Sequence, residues 1–215
     1  MDAAILHPAE GVHLAFVGED LVTLDLSADV YACLPELGAR LEPQCGGGFL
    51  ADDPALATEL IAAGLFSLTR PCRRPPSLPA PPRRSSRETR VGRGGGREAA
   101  QFLSAVLHSQ RSFRGRGLRA LIADCAPTRG PHRASDVLRR AVLFDRWLPW
   151  APGQGLCLYR AYTLRRFLRA GGLEAAWVFG VRTWPFSAHC WLQAGDVVLD
   201  DDLDRVGLYV PILAG

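Results

Sequence analysis

The sequence predicts an α+β protein in two modules: a small β-meander with helices, then a module of helices followed by strands. Three observations predict it. Strand-length runs fill residues 11–34, helical periodicity dominates from Glu98 to Ala170, and the chain between them is rich in Arg, Pro and Gly. The boundaries read as 1–67 for the first module, 68–97 for a flexible linker and 98–215 for the second module.

Charge follows the same division. Residues 1–67 hold eleven Asp/Glu against Arg40 alone, a balance of −10, and residues 68–97 hold nine Arg against Glu88, a balance of +8. Residues 98–215 hold fifteen Arg against ten acids, so the chain's net +3 pools three unlike pieces. The middle piece has too few large apolar side chains to offset the entropy of ordering it, so it reads as a tether. No aromatic is interleaved with its arginines to stack on bases, which argues against a nucleic-acid arm.

All 25 basic residues are Arg. That excludes a Schiff-base lysine, a P-loop lysine and a Ser-Lys dyad. No apolar run approaches the roughly 18 residues of a membrane-spanning helix, and Met1-Asp2 begins neither a basic nor an apolar signal region, so the expected location is cytoplasmic. The six cysteines (Cys33, Cys45, Cys72, Cys125, Cys157, Cys190) contain no CxxC pair. They do not describe a disulfide framework.

In the first module, Val12–Phe16, Leu21–Leu26 and Val30–Leu34 read as strands separated by turns at Gly18-Glu19-Asp20 and Ser27-Ala28-Asp29. Leu37–Leu41 suggests a short helix, and Gly46-Gly47-Gly48 breaks the chain. Asp52-Asp53 caps a helix from Pro54 to Ala63, which Gly64 stops. No nucleophile and base occur together here. An exposed sheet edge that accepts a peptide strand is the function such a module offers, and its −10 charge favours a basic partner over nucleic acid. The run LVTLDLSADVYACLPELGARL resembles the winged-helix-like recognition elements that bind leader peptides of ribosomally made natural products. The resemblance implies that a leader pairs with the third strand, at Val30, Tyr31, Ala32 and Cys33, opposite Leu56, Leu60 and Ile61 of the last helix.

The second module carries the chemistry. Glu98–His108, Arg116–Cys125 and Ser135–Trp147 read as helices, the last capped by Ser135-Asp136. A Pro/Gly loop from Trp147 to Gly155 leads into an amphipathic helix, Leu156–Ala170, with Cys157 in its first turn. Unsatisfied N–H groups and the helix dipole there favour a thiolate and are suited to an oxyanion. Ala175–Val181 reads as a buried strand, and in Ala188–Leu192 alternation sets His189 and Trp191 on one face and Cys190 on the other. Ala194-Gly195-Asp196 turns the chain into Val197–Asp200. An acid at that strand's end, Asp200 or Asp201, can orient His189, which completes a Cys–His–Asp set in chain order.

The motifs PGQGLCLYRA, WPFSAHCWL and VVLDD resemble the transglutaminase-like, papain-like cysteine peptidase of lasso-peptide maturation, and the whole chain resembles the fused B protein of that pathway. The usual H-A-W appears as His189-Cys190-Trp191. The resemblance implies a leader peptidase with Cys157 as nucleophile, His189 as base, Asp200 or Asp201 as third member, and an oxyanion held by the Cys157 N–H with Gln154. It implies two partners, the leader region of a precursor peptide and an asparagine-synthetase-like cyclase, and no cofactor. Acyl transfer to an amine and a silent adaptor that delivers precursor are the alternative readings. The run Asp200-Asp201-Asp202-Leu203-Asp204 lacks EF-hand spacing, so no metal is expected. Arg160, Arg165, Arg166 and Arg169 read as a solvated helix face, and Trp147, Trp150, Trp184 and Trp191 as candidate cleft walls.

Overall fold

Alternation in the first third folds into an antiparallel meander in the computed structural model, which describes residues 4–72, 77–124, 133–151 and 156–215. After the short β1 (His7–Pro8), β2 (Val12–Val17), β3 (Asp20–Asp25) and β4 (Val30–Leu34) pair in the order β2-β3-β4. Asp25 Oδ1 closes the second turn by accepting from the backbone N–H of Ser27 at 2.6 Å and Ala28 at 3.1 Å. The expected helix at Leu37 is a single 3₁₀ turn, Leu37–Arg40. The glycine run does not simply break the chain. Gly46 and Gly47, at φ 100° and 84°, turn β5 (Leu41–Gln44) back into β6 (Gly48–Ala51), a hairpin with no alternating signal of its own.

Helix α1 (Pro54–Ala62) begins as its cap predicts, with Asp53 Oδ1 accepting from Ala55 N–H at 2.9 Å, and β7 (Phe66–Ser67) returns to pair with β1. The core gathers Leu6, Leu21, Leu37, Leu41, Leu56, Leu60 and Phe66. Leu56 and Leu60 are thus spent on packing. Burying both is what holds α1 against the strands.

The segment expected to be a linker is not one throughout. Arg84–Ser85 forms β8, and Ser86 is fully buried. Its order needs no apolar surface. Ser85 Oγ donates to the Asp201 carbonyl at 2.9 Å, Ser86 Oγ donates to the Leu199 carbonyl at 2.7 Å, and Arg84 pairs with Asp196. Further on, Arg146 donates to the Val91 and Gly92 carbonyls, and Gly94 lies so close to Trp147 that a Cβ there would fall 2.4 Å from the ring.

Helices α2 (Gly96–Ser112), α3 (Leu118–Ala123), α4 (Ala134–Trp147) and α5 (Cys157–Ala170) follow. Arg133, not Ser135-Asp136, occupies the cap of α4. The strands β9 (Ala176–Arg182), β10 (Ser187–Ala194) and β11 (Val197–Val198), the short α6 (Leu203–Val206) and β12 (Val210–Ala214) complete the chain. They form a five-stranded sheet in the order β12-β9-β10-β11-β8. Trp177, Phe144, Phe167 and Leu143 are fully or almost fully buried in this half.

The chain divides into two units, Met1–Pro76 with Val181–Ser187, and Ser77–Gly180 with Ala188–Gly215. Within the first, the Trp184 indole donates to Asp20 Oδ2 at 2.8 Å and the Phe186 ring lies 6.2 Å from that of Tyr31. Among the described residues no helix is long and apolar enough to cross a membrane.

Candidate active site

Leu156 is extended and caps α5 without a side-chain hydrogen bond, so Cys157 is the first helical residue. The amides of that first turn lack i−4 partners, and the helix dipole favours negative charge at the sulfur. Opposite it, β10 supplies two neighbours at once. His189 and Cys190 both act on the Cys157 thiol and favour its ionised form.

Strict alternation predicts Cys190 to point away from the base, and the backbone explains why it still reaches the nucleophile. β11 covers β10 only at Gln193 and Ala194. Leu192 bonds on that side both ways, its N–H to Asp200 Oδ1 at 2.8 Å and its carbonyl from Leu199 N–H at 2.9 Å. Two residues earlier, Cys190 N–H points the same way, past the end of β11, and it adds to the lowering of the Cys157 thiol.

The two candidate acids separate cleanly. Asp201 Oδ2 lies 2.5 Å from His189 Nε2, which leaves Nδ1 as the ring nitrogen available to Cys157. Asp200, one residue earlier, faces Leu192 N–H and does not contact the imidazole. Asp201 is itself held, accepting from Asp202 N–H at 2.8 Å with its carbonyl bound by Ser85. The Tyr209 and Trp191 rings lie 5.1 Å and 6.2 Å from the imidazole.

These contacts set the protonation states. The Cys190 thiol is the largest influence on Cys157; burial opposes it, but hydrogen bonding and charge from His189 help bring the thiol down to about 4. For His189, burial works against the imidazolium, yet the bonds to Asp201 and Cys157 prevail and lift it to about 9. Burial would raise Asp201, but the bonds from His189 and Asp202 N–H hold it below the usual carboxylate range. Burial drives Asp200 up to about 7. The Cys190 thiol is pushed well above its ordinary value by its bond to Cys157 and by burial. At neutral pH the arrangement is a thiolate–imidazolium pair with an ionised carboxylate behind it.

Several supporting residues carry no periodic signal in the sequence. Ser85 and Ser86 sit in an arginine-rich stretch and are found only through the carbonyls they bind. Arg160, expected on a solvated face, donates to the half-buried Asp145 at 2.8 Å. Arg165 is likewise buried against the Trp177 ring, and Arg166 pairs with Asp124. Those arginines line the contact of α5 with its own unit, which corrects the solvated-face reading. Of the four tryptophans expected as cleft walls, Trp191 adjoins the site, Trp147 packs on Phe102 and Phe167, and Trp150 and Trp184 are exposed. Gln154 lies outside the described residues. Among the described residues no group of three or more His, Cys, Asp or Glu side chains is gathered for a metal ion.

Of the residues expected to bind a leader, Val30, Tyr31, Ala32 and Cys33 lie on β4, at one end of its sheet. Ile61 is 36% exposed on α1.

A family model described as transglutaminase-like superfamily matches residues 100–214, which includes Cys157, His189 and Asp201. The chain is also 42% identical over 45 residues to the microcin J25-processing protein McjB of Escherichia coli, a match that spans 21% of this chain and 22% of that protein. No solved structure matches. With more than half of its length covered by the family model, the chain belongs to the transglutaminase-like superfamily.

Proposed function

We propose that this protein is the leader peptidase of a lasso-peptide pathway, hydrolysing the bond between leader and core of a precursor peptide. The observation that carries the reading is one buried imidazole bonded at Nε2 to Asp201, with a cysteine at a helix start whose thiol it helps to lower. Superfamily membership, which spans cysteine peptidases and acyltransferases, and the likeness to a microcin-processing protein support it.

The Cys157 thiolate attacks the carbonyl of the leader's last residue, and negative charge develops on that oxygen near the first amides of α5. The Cys157 N–H, with Gln154, is the proposed oxyanion donor. His189 gives its proton to the amine of the core, which leaves, and the leader stays on sulfur as a thioester. The neutral imidazole then takes a proton from water, whose oxygen attacks the thioester and frees the leader. Asp201 positions the ring and stabilises its charged form. The released core carries a free α-amine, the nucleophile a macrolactam-forming enzyme requires, which is the chemical reason for an asparagine-synthetase-like cyclase as partner.

Recognition is assigned to the first unit as a winged-helix-like module. The outer edge of β4, with Val30 54% exposed and Tyr31 beside it, would take the leader as an added strand along Val30–Cys33, bordered by Ile61. The test is Cys157→Ala. Precursor cleavage should vanish while leader binding persists, and retained cleavage sinks the reading. Mass spectrometry separates hydrolysis, which adds water, from acyl transfer to an amine, which releases ammonia.

A further inference from the structure

Asp201 holds the imidazole of His189 at one atom, Nε2. With Cβ fixed by the strand and Nε2 by the acid, the ring keeps one freedom, rotation about the line joining those two points. That torsion is intrinsically broad, and it is the one that swings Nδ1. A second ring is packed against the imidazole. Tyr209 lies 5.1 Å away at an interplanar angle of 38°, closer than Trp191 at 6.2 Å and 29°. Tyr209 and Asp201 arrive on one short stretch of chain. Between them runs α6, whose Leu203 and Val206 pack, as Tyr209 does, in the cluster of Trp191, Val178 and Val198. Tyr209 N–H donates to the Val206 carbonyl at 3.1 Å, and Val206 N–H to the Asp202 carbonyl at 3.1 Å. Gly180 of β9 supplies the room. A Cβ there would fall 2.8 Å from the Trp191 ring and 2.9 Å from Tyr209 Cβ, so a side chain would displace one or the other.

We propose that Tyr209 is a positioning residue of the active site, its ring fixing the plane of the His189 imidazole while Asp201 fixes its edge. The inference rests on the reading of His189 as the group that moves the protons of cleavage. In that reading the ring gives a proton to the departing amine and later takes one from water, in opposite directions through the same nitrogen. Both transfers need Nδ1 on line while Nε2 stays with Asp201. Rotation of the imidazole leaves the Asp201 bond intact and still carries Nδ1 away, and a misplacement of about 1 Å can cost about 100-fold in rate. An aromatic ring against the imidazole blocks that rotation through packing alone and adds no acceptor at Nδ1 to compete for the proton. Phenylalanine would keep the ring, whereas leucine would keep bulk without the flat surface. The short path from Asp201 through α6 to Tyr209 sets both restraints from one segment, so edge and plane are adjusted together.

The test compares Tyr209→Leu, Tyr209→Phe and Gly180→Ala in the full-length protein by precursor cleavage and by NMR of ring-labelled histidine. Among the five histidines, the His189 signals are those that His189→Ala removes. Tyr209→Leu should lower kcat by about tenfold or more with KM within about twofold. Its His189 ring signals should broaden as the imidazole exchanges between orientations. Tyr209→Phe should bring kcat back to within about threefold and return one sharp set of signals. Gly180→Ala keeps the tyrosine but takes its room, and should behave as Tyr209→Leu does. The downfield proton on Nε2 should persist in all three, which shows the Asp201 bond intact and this part of the chain folded. An unchanged kcat in Tyr209→Leu, a Tyr209→Phe as slow as Tyr209→Leu, or loss of the Nε2 proton in both would overturn the proposal. Broadening in Tyr209→Leu alone, reversed in Tyr209→Phe, in a protein that never cleaves precursor would uphold the positioning and fail the peptidase reading.

Discussion

The outer edge of β4 and the Cys157–His189–Asp201 cluster handle polar groups in opposite ways. β4 lies at one end of its three-stranded sheet and sets Val30 in solvent at 54% exposure. Around His189, 5% exposed, polar atoms are enclosed and bonded on several sides at once. Recognition of an extended peptide needs donors and acceptors left free, whereas a thiolate–imidazolium pair needs its charges fixed and water kept back. On the proposed reading the two demands fall in separate units of one chain, so each should fail independently.

The largest break is in the enclosed region. His189→Ala should lower kcat for precursor cleavage by roughly 10⁴-fold, read by mass spectrometry of the products, with leader binding unaltered. Asp201→Asn should cost roughly 10²–10⁴-fold by the same assay, because the ring loses the carboxylate that orients it. Asp200→Asn, one residue away, should stay within about tenfold, since that carboxyl touches Leu192 N–H and not the imidazole. Equal losses at the two aspartates would erase the distinction drawn between them.

Titration sharpens the same comparison. Below about 4 Cys157 gains a proton and above about 9 His189 loses one, so kcat/KM should rise through an apparent pKa of about 4 and fall through one of about 9. Leader binding at β4 should not follow that profile. A fall in activity centred near 6.5, the ordinary histidine value, would mean that the ion pair does not form.

Smaller effects follow at the edges of both regions. Tyr31→Ala with Val30→Lys should weaken leader binding by about tenfold and raise KM, with kcat little changed, as seen by fluorescence anisotropy and steady-state kinetics. Ser86→Ala leaves the Leu199 carbonyl without its buried donor and should lower stability by about 1–2 kcal/mol in denaturant unfolding, with a lesser effect on rate.

What the sequence made legible follows from how local each signal is. A Pro/Gly loop running into an amphipathic helix fixes Cys157 at a helix start, and alternation fixes the face of His189, because both depend on a few adjacent residues. The choice between Asp200 and Asp201 was illegible for a physical reason: β11 is two residues long, so the chain has left the ladder before the acids arrive and counting by twos no longer applies. Composition makes residues 84–86 look like tether because their order comes from hydroxyls and guanidinium groups bound to partners more than a hundred residues away. Leu56 and Leu60 carry an apolar pattern that suits core and docking face alike, and the structure assigns them to core.

The central claim is that Cys157 carries the leader as a thioester during cleavage. The most direct measurement is an acid quench of the enzyme during turnover with precursor, followed by peptide mapping. The account predicts a hydroxylamine-labile adduct of the leader's mass less water on the Trp147–Arg160 peptide, absent in Cys157→Ala. Cleavage that proceeds with no adduct on that peptide, and that survives in Cys157→Ala, would contradict it.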